Sequence, residues 1–245
     1  MEVHHHPHHE GKKTLKSYFW EFLMLFLAVF CGFMAEYQLE HKIERDREKQ
    51  FIHSYIEDLK TDTIAIRRNL ISFKNKMQLM DSLMLLLSNG QIKGHENELY
   101  YYGRMLVRTD KFQSNDRTIS QLKNSGALRL IKNEQAADSI MSYQKLVSRV
   151  EGNQEDDRTE RYNAFPIISR MFNPFVFDKM VTIDGVHRPQ GNPPLRSYDK
   201  NLQQDLAFWA HQIKGSNFLI SGRLETLNHK AKNIILFLKD EYHLE

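Results

Sequence analysis

Imidazoles crowd the start of the chain: His4, His5, His6, His8 and His9, interrupted only by Pro7. Neutral ring nitrogens clustered in this way bind Zn, Ni or Cu, so these residues form the candidate metal site. A tail that must be ordered by its ligand binds modestly and with unselective geometry. The competing reading is a solvated tail or a tag. His41 and His53 lack the one-turn spacing of a helical metal pair and read as surface residues. In "EGNQEDDRTER", Glu151, Glu155, Asp156, Asp157 and Glu160 stand together. Their spacing is not that of a calcium loop, and a solvated helix face is expected. No nucleophile elbow, phosphate-cradling glycine loop or His-Glu helix motif is present. The expectation is a protein without catalysis, without a cofactor and with no identified small-molecule substrate. His187 and Arg188 in "GVHRPQG" sit on a Pro-rich excursion; because loops carry function disproportionately, they are the candidate partner-contact site.

A different chemistry lies in "EFLMLFLAVFCGFMAEY". The run is uncharged from Phe22 to Ala35 and contains the only cysteine, Cys31, so no intramolecular disulfide can form. Phe33 is too large for a signal-peptidase site ending at Ala35, and Phe30 is too large for a lipoprotein box around Cys31. An amphipathic core helix would show a polar face, and this segment shows none. Extended back through Trp20 and Tyr18 to Leu15, it reaches the roughly 20 residues that cross a bilayer. Tyr18, Trp20 and Tyr37 occupy the interfacial positions, with Lys12, Lys13 and Lys16 on the near side. Residues 15–37 are therefore read as a transmembrane helix, and membrane lipid as its partner. Glu21 shares a helix face with Ala28, Gly32 and Ala35. Small residues one turn apart let helices approach closely, and a carboxylate in hydrocarbon needs a partner, so this face is the candidate helix-pairing site. Snorkelling of Glu21 to the headgroups is the alternative.

Composition sets the outer limits. In 245 residues, 41% are hydrophobic and 27% charged, as in a folded chain, and the net charge is only +3. Acids and bases are interleaved without a basic stripe, which argues against a nucleic-acid partner. Keeping a lysine-bearing tail inside places the C-terminal domain on the extracytoplasmic side of the cell (inner) membrane. Lys42, Arg45, Arg47 and Lys49, soon after the span, pull the other way.

The elements that must carry these residues are helices. Pro is missing between Pro7 and Pro166, which permits very long ones. Ile52, Ile56, Leu59, Ile66, Leu70, Phe73, Met77, Met80, Met84 and Leu87 follow steps of four and three, with one lapse at Thr63. Joined to the span, this predicts a helix of about 70 residues, a rod of roughly 100 Å. Leu202, Leu206, Trp209 and Ile213, then Ile220, Leu224, Leu227, Ala231, Ile234 and Leu238, predict two further helices broken at Gly215-Ser216. Helices are also expected at residues 99–107, up to Gly126, and from Asn133. Pro166, Pro174, Pro189, Pro193 and Pro194 mark an excursion over 166–198, with a strand pair turning at Asp184-Gly185 about the middle of 174–198. The predicted fold class is all-α: a tail (1–14), a span (15–37), a long heptad helix (38–90) and a bundle (91–245) filled by Leu, Ile and Met.

Three segments carry a resemblance: "DREK" (Asp46 to Lys49), "EDLKTD" (Glu57 to Asp62) and "QLKNSGALRLIKN" (Gln121 to Asn133). With the closing "NIILFLKDEY", they are similar to an uncharacterised family of bacterial single-span membrane proteins with a C-terminal helical domain. The resemblance covers most of the chain and implies architecture, not activity; its motifs read as helix-surface and capping patterns. The function expected is a membrane-anchored scaffold or interaction protein, a homo-oligomer or an accessory subunit of a membrane-protein partner. Metal binding by the tail is the alternative.

Overall fold

The computed structural model describes residues 14–90 and 92–244. The chain is all-α with one small hairpin. Helix α1 is Leu15–Ser88, α2 Glu96–Leu106, α3 Arg117–Asn124, α4 Glu134–Met171, α5 Pro174–Lys179 and α6 Lys200–Glu241. Strands β1 (Val181–Thr182) and β2 (Gly185–Val186) pair antiparallel, Val181 against Val186 and Thr182 against Gly185. The chain divides into a unit ending at Gln50 and a unit Phe51–Glu245.

In the first unit, the helix is long and apolar enough to cross a membrane. None of residues 14–47 is buried. Aromatic rings run along one side, with Phe22 stacked on Phe26 and Phe26 on Phe30.

In the second unit, residues 51–88 of α1 bundle with α4 and α6. Asn133, opening α4, donates to Glu241, closing α6, at 2.8 Å, and Arg161 of α4 meets Asn217 of α6, so those two helices run antiparallel. Asn133 also caps α4 by accepting from Ala136 N–H, and Asp199 caps α6 by accepting from Asn201 N–H. Gly126, at φ 67°, turns the chain after α3, as its position in the sequence predicts.

The buried positions of α4 are Ala136, Ile140, Tyr143, Val147, Val150, Gln154, Asp157, Arg161, Ala164, Ile168 and Met171, an unbroken alternation of steps of four and three. In α6 the same alternation runs through Ala210, Ile213, Asn217, Ile220 and Leu224. The expected break at Gly215-Ser216 is therefore absent. A glycine weakens a helix by about 1 kcal/mol without stopping it when the packed face continues. Asn217 supplies the missing seam position, and a Cβ on Gly215 would meet nothing within 4 Å. Pro166 likewise does not end α4, which continues to Met171 with the proline inside it. The excursion thus begins later than residue 166. Its turn residues are Ile183 and Asp184, one position earlier than expected, with Gly185 already in β2.

Two apolar clusters fill the bundle. One holds Ile52 to Phe73 of α1 with Ala136 to Val150 of α4 and Ile220 to Leu238 of α6. The other holds Met80 and Leu83, Ala164 to Phe172, Leu206 to Ile213, and α2. Each fully buried Leu or Ile contributes about 1.5–3 kcal/mol relative to exposure. Between the clusters every helix turns polar at the same level: Lys76, then Gln154, Asp157 and Arg161, then Asn217, all buried.

Candidate functional site

The His-rich tail, His4, His5, His6, His8 and His9, lies outside the described residues. Among the described residues no group of three or more His, Cys, Asp or Glu is placed to hold a metal ion. Glu21, Ala28, Gly32 and Ala35 are all exposed on α1, and a Cβ on Gly32 would meet nothing within 4 Å. His187 pairs with Thr182 Oγ1 across the hairpin at 3.0 Å. Arg188 turns back onto α2: its guanidinium lies over the rings of Tyr101 and Tyr102, 5.5 and 5.8 Å from their centroids, and 3.5 Å from the Glu98 carboxylate. Both residues stay exposed, and Arg188 spends part of its charge within the chain.

The interior is more polar than a Leu, Ile and Met filling implies. Asp58 and Asp62, one turn apart on α1, are 1% and 2% exposed, so "EDLKTD" is not a surface pattern. Asp58 accepts from Thr118 N–H at 2.8 Å, Asn115 Nδ2 at 2.9 Å and Arg117 at 3.1 Å. The Asp116 side chain makes no capping bond, so a carboxylate from another helix caps α3. Asp62 accepts from Asn115 N–H at 2.6 Å and from the Tyr143 hydroxyl at 2.7 Å. Burial, the largest influence, pushes the Asp62 carboxyl up to about 6 against those two bonds, and the charge of Asp58 adds to the rise. The Tyr143 hydroxyl is pushed up by burial and by Asp62.

The second polar layer is built on α4. Arg161 donates to both oxygens of Asp157, to Asn217 Oδ1 at 2.9 Å, to Arg108 O at 3.1 Å and to Leu106 O. Gln154 clasps Phe112, accepting from its N–H at 2.7 Å and donating to its carbonyl at 3.0 Å. Lys76 stands 3.4 Å from Asp110; burial lowers its basicity and Asp110 opposes that. These bonds hold the loop after α2 (residues 107–116) to the bundle. The acidic stretch is accordingly mixed: Glu151, Glu155 and Asp156 are exposed, while Asp157 is buried and paired.

The excursion is fastened to α2. Glu96 accepts from Gly94 N–H, the Tyr198 hydroxyl and Asn192 Nδ2, and Asn97 N–H donates to Asn192. The Tyr100 hydroxyl donates to Pro194 O and accepts from Asn173 N–H. The rings of Tyr100, Phe172 and Phe177 lie 5.2–5.6 Å apart. Phe172 reaches α2 because position 103 is glycine, where a Cβ would come within 2.7 Å of its ring. Around this cluster, α2, the end of α4 and the excursion border a half-open cavity of about 240 Å³. Its walls include Val107, Phe165, Ile168 and Phe177, and its charged residues are Arg104 and Arg196.

No protein-family model, curated protein or solved structure matches the chain. The chemistry of the groups themselves is the guide. Asp58, Asp62, Asp157 and Arg161 are buried and each is hydrogen-bonded, which suits them to fixing helix register. Arg104 and Arg196 border open space. The sequence alone assigns Asp157 to a solvated face and Asp58 and Asp62 to a surface or capping pattern, and it singles out none of Arg161, Arg104 and Arg196. A seam of fours and threes through α4 that ignores polarity is the signal that points to Asp157 and Arg161.

Proposed function

We propose that this chain is a membrane-anchored helical interaction protein, with residues 15–37 crossing the cell (inner) membrane and the bundle serving as a scaffold on the extracytoplasmic side. The observation that carries the reading is an apolar helix whose described residues 14–47 include none that is buried: Met24, Leu25 and Phe33 are each about two-thirds exposed, at 67%, 68% and 70%. A continuous apolar surface of this kind marks a membrane or partner contact. Its length suits a bilayer. The open face at Ala28 and Gly32 suits a second helix, with Glu21 bonded across the seam. The second helix belongs to another copy of the chain or to a membrane-protein partner. Similarity of "DREK" and "EDLKTD" to the bacterial single-span family accords with this plan.

Two measurements test it. After cell breakage the full chain should sediment with membranes through alkaline carbonate and float with lipid; recovery in the supernatant without detergent would dispose of the anchor. In a Cys31→Ser background, Ala28→Cys and Gly32→Cys should form crosslinked dimers in membranes. Phe26→Cys and Phe30→Cys, on the opposite face, should not. Equal crosslinking on both faces would remove the pairing seam, and crosslinks to a different chain would identify the accessory-subunit form.

A further inference from the structure

We propose that the cavity between α2, the end of α4 and the excursion binds a small organic carboxylate with an apolar body. The argument begins with uncompensated charge. Arg104 Nε is buried without a hydrogen-bond partner, and among the described residues no carboxylate lies within ion-pair distance of Arg104. Burial, and then the like charge of Arg108, hold its guanidinium below the usual arginine range. Its guanidinium carbon lies 5.5 Å from the centroid of the Phe177 ring. The Arg196 guanidinium donates one bond among the described residues, to Ser169 O at 2.9 Å, and likewise has no acid beside it there. A buried donor left unmade is costly, so Arg104 Nε at the cavity wall is read as awaiting an acceptor, and the exposed Arg196 guanidinium adds a second cation at its rim.

The acceptor must be an anion, and the guanidinium fork fits a planar carboxylate through paired N–H···O bonds. The remaining walls select the rest of the molecule. Val107, Phe165, Ile168 and Phe177 offer apolar and aromatic surface. A volume of about 240 Å³ lies below the roughly 300–1,000 Å³ of sites for drug-sized ligands, which limits the body to a single ring or a short chain. The cavity is supported, not improvised: Tyr100, Glu96 and Asn192 pin the excursion that delivers Phe177 and Arg196 to α2, which delivers Arg104. This assignment stands apart from the membrane reading and does not depend on it.

The test uses the full chain in lipid nanodiscs and 4-fluorophenylacetate as probe, followed by its fluorine NMR signal, with empty nanodiscs subtracted. Saturable binding is expected in the micromolar to low-millimolar range. The neutral analogue 4-fluorophenylacetamide should bind at least about tenfold more weakly, as should the carboxylate to Arg104→Gln or Arg196→Gln, since a bond to a charged group is worth at least that factor. Absence of saturable binding at about 10 mM, the region of negligible affinity, would overturn the proposal. So would equal affinity for the neutral amide, a comparison on the unaltered protein that needs no variant to fold. Undiminished binding to a Gln/Gln double variant with wild-type melting would do the same.

Discussion

Arg161 and Asp157, one turn apart on α4, meet as a two-pronged pair: Nε lies 2.7 Å from one carboxylate oxygen and Nη2 2.9 Å from the other, with both residues almost fully buried. The pair sits where the two apolar clusters of the bundle meet, and Asn217 of α6 completes it. A desolvated pair of this kind is weak evidence for stability but strong evidence for register, because a shifted helix would bury unpaired charge.

Breaking the pair on one side should therefore be costly. Arg161→Met leaves the Asp157 carboxylate buried alone and should lower unfolding free energy by about 3–5 kcal/mol. Asp157→Leu together with Arg161→Met should lose less than Arg161→Met alone. Recovery will stay partial, because the carbonyls of Leu106 and Arg108 also lose their donor. Urea denaturation of the wild type, the two single variants and the double variant gives the coupling directly; additive losses would refute a coupled pair.

Asp62 makes stability depend on pH. Its folded carboxyl is raised to about 6 from 3.8, so the folded chain holds this proton where the unfolded chain has released it. The contribution is full below about pH 4 and is lost as pH rises through about 6, on the order of 3 kcal/mol at most. Asp62→Asn removes the titration while keeping an acceptor for Asn115 N–H. The stability of Asp62→Asn relative to wild type should therefore climb between pH 4 and pH 7. A flat difference across that range would show that Asp62 titrates as an ordinary carboxylate.

The short helix α3 depends on a single borrowed cap. Asp58→Ala strips Thr118 N–H, Asn115 and Arg117 of their shared acceptor. Capping bonds are worth about 0.5–2 kcal/mol, and this one carries charge. Hydrogen exchange should accelerate across residues 117–124 while α4 and α6 keep their protection, since segments open in separate units. Uniform acceleration would mean that α3 is not a separable element.

The long helices and their apolar seam were legible because few glycines and no interior prolines interrupt them up to Pro166. What sequence periodicity misplaced were the polar seam positions. Reading for apolar residues alone puts Leu70, Met77, Met84 and Leu87 on the α1 seam, whereas Asn69, Lys76 and Leu83 are buried and those four are only partly so. The lapse at Thr63 has the same origin, since Asp62 is the buried residue there. Gly215-Ser216 looked like a break because Asn217 hid the seam running through it. Asp62, Lys76 and Asn217 sit inside because Tyr143, Asp110 and Arg161, far off in sequence, partner them, and that pairing is invisible along the chain. The cavity arginines escaped notice for the same reason: Arg104 and Arg196 are far apart in sequence and only the fastened excursion brings them to one wall.

Gly103 decides how closely α2 approaches the excursion. In an ordinary helix, Gly→Ala stabilises by about 1 kcal/mol. Here the added methyl would lie 2.7 Å from Cζ and 2.8 Å from Cε2 of Phe172. That ring is the far end of a side chain, and an exposed one would swing away. Phe172 is 1% exposed and held between Tyr100 and Phe177, so its ring can shift only by giving up those contacts. Overpacking costs about 1–3 kcal/mol, which exceeds the helix gain. Gly103→Ala should therefore lower the melting midpoint by a few degrees, and it should also weaken 4-fluorophenylacetate binding, since Phe172 and Phe177 wall the cavity. In a Phe172→Leu background the same change should cost less, because the shorter side chain leaves room for the methyl. A stabilised Gly103→Ala protein would show that α2 and the Phe172 ring are not in the close contact described.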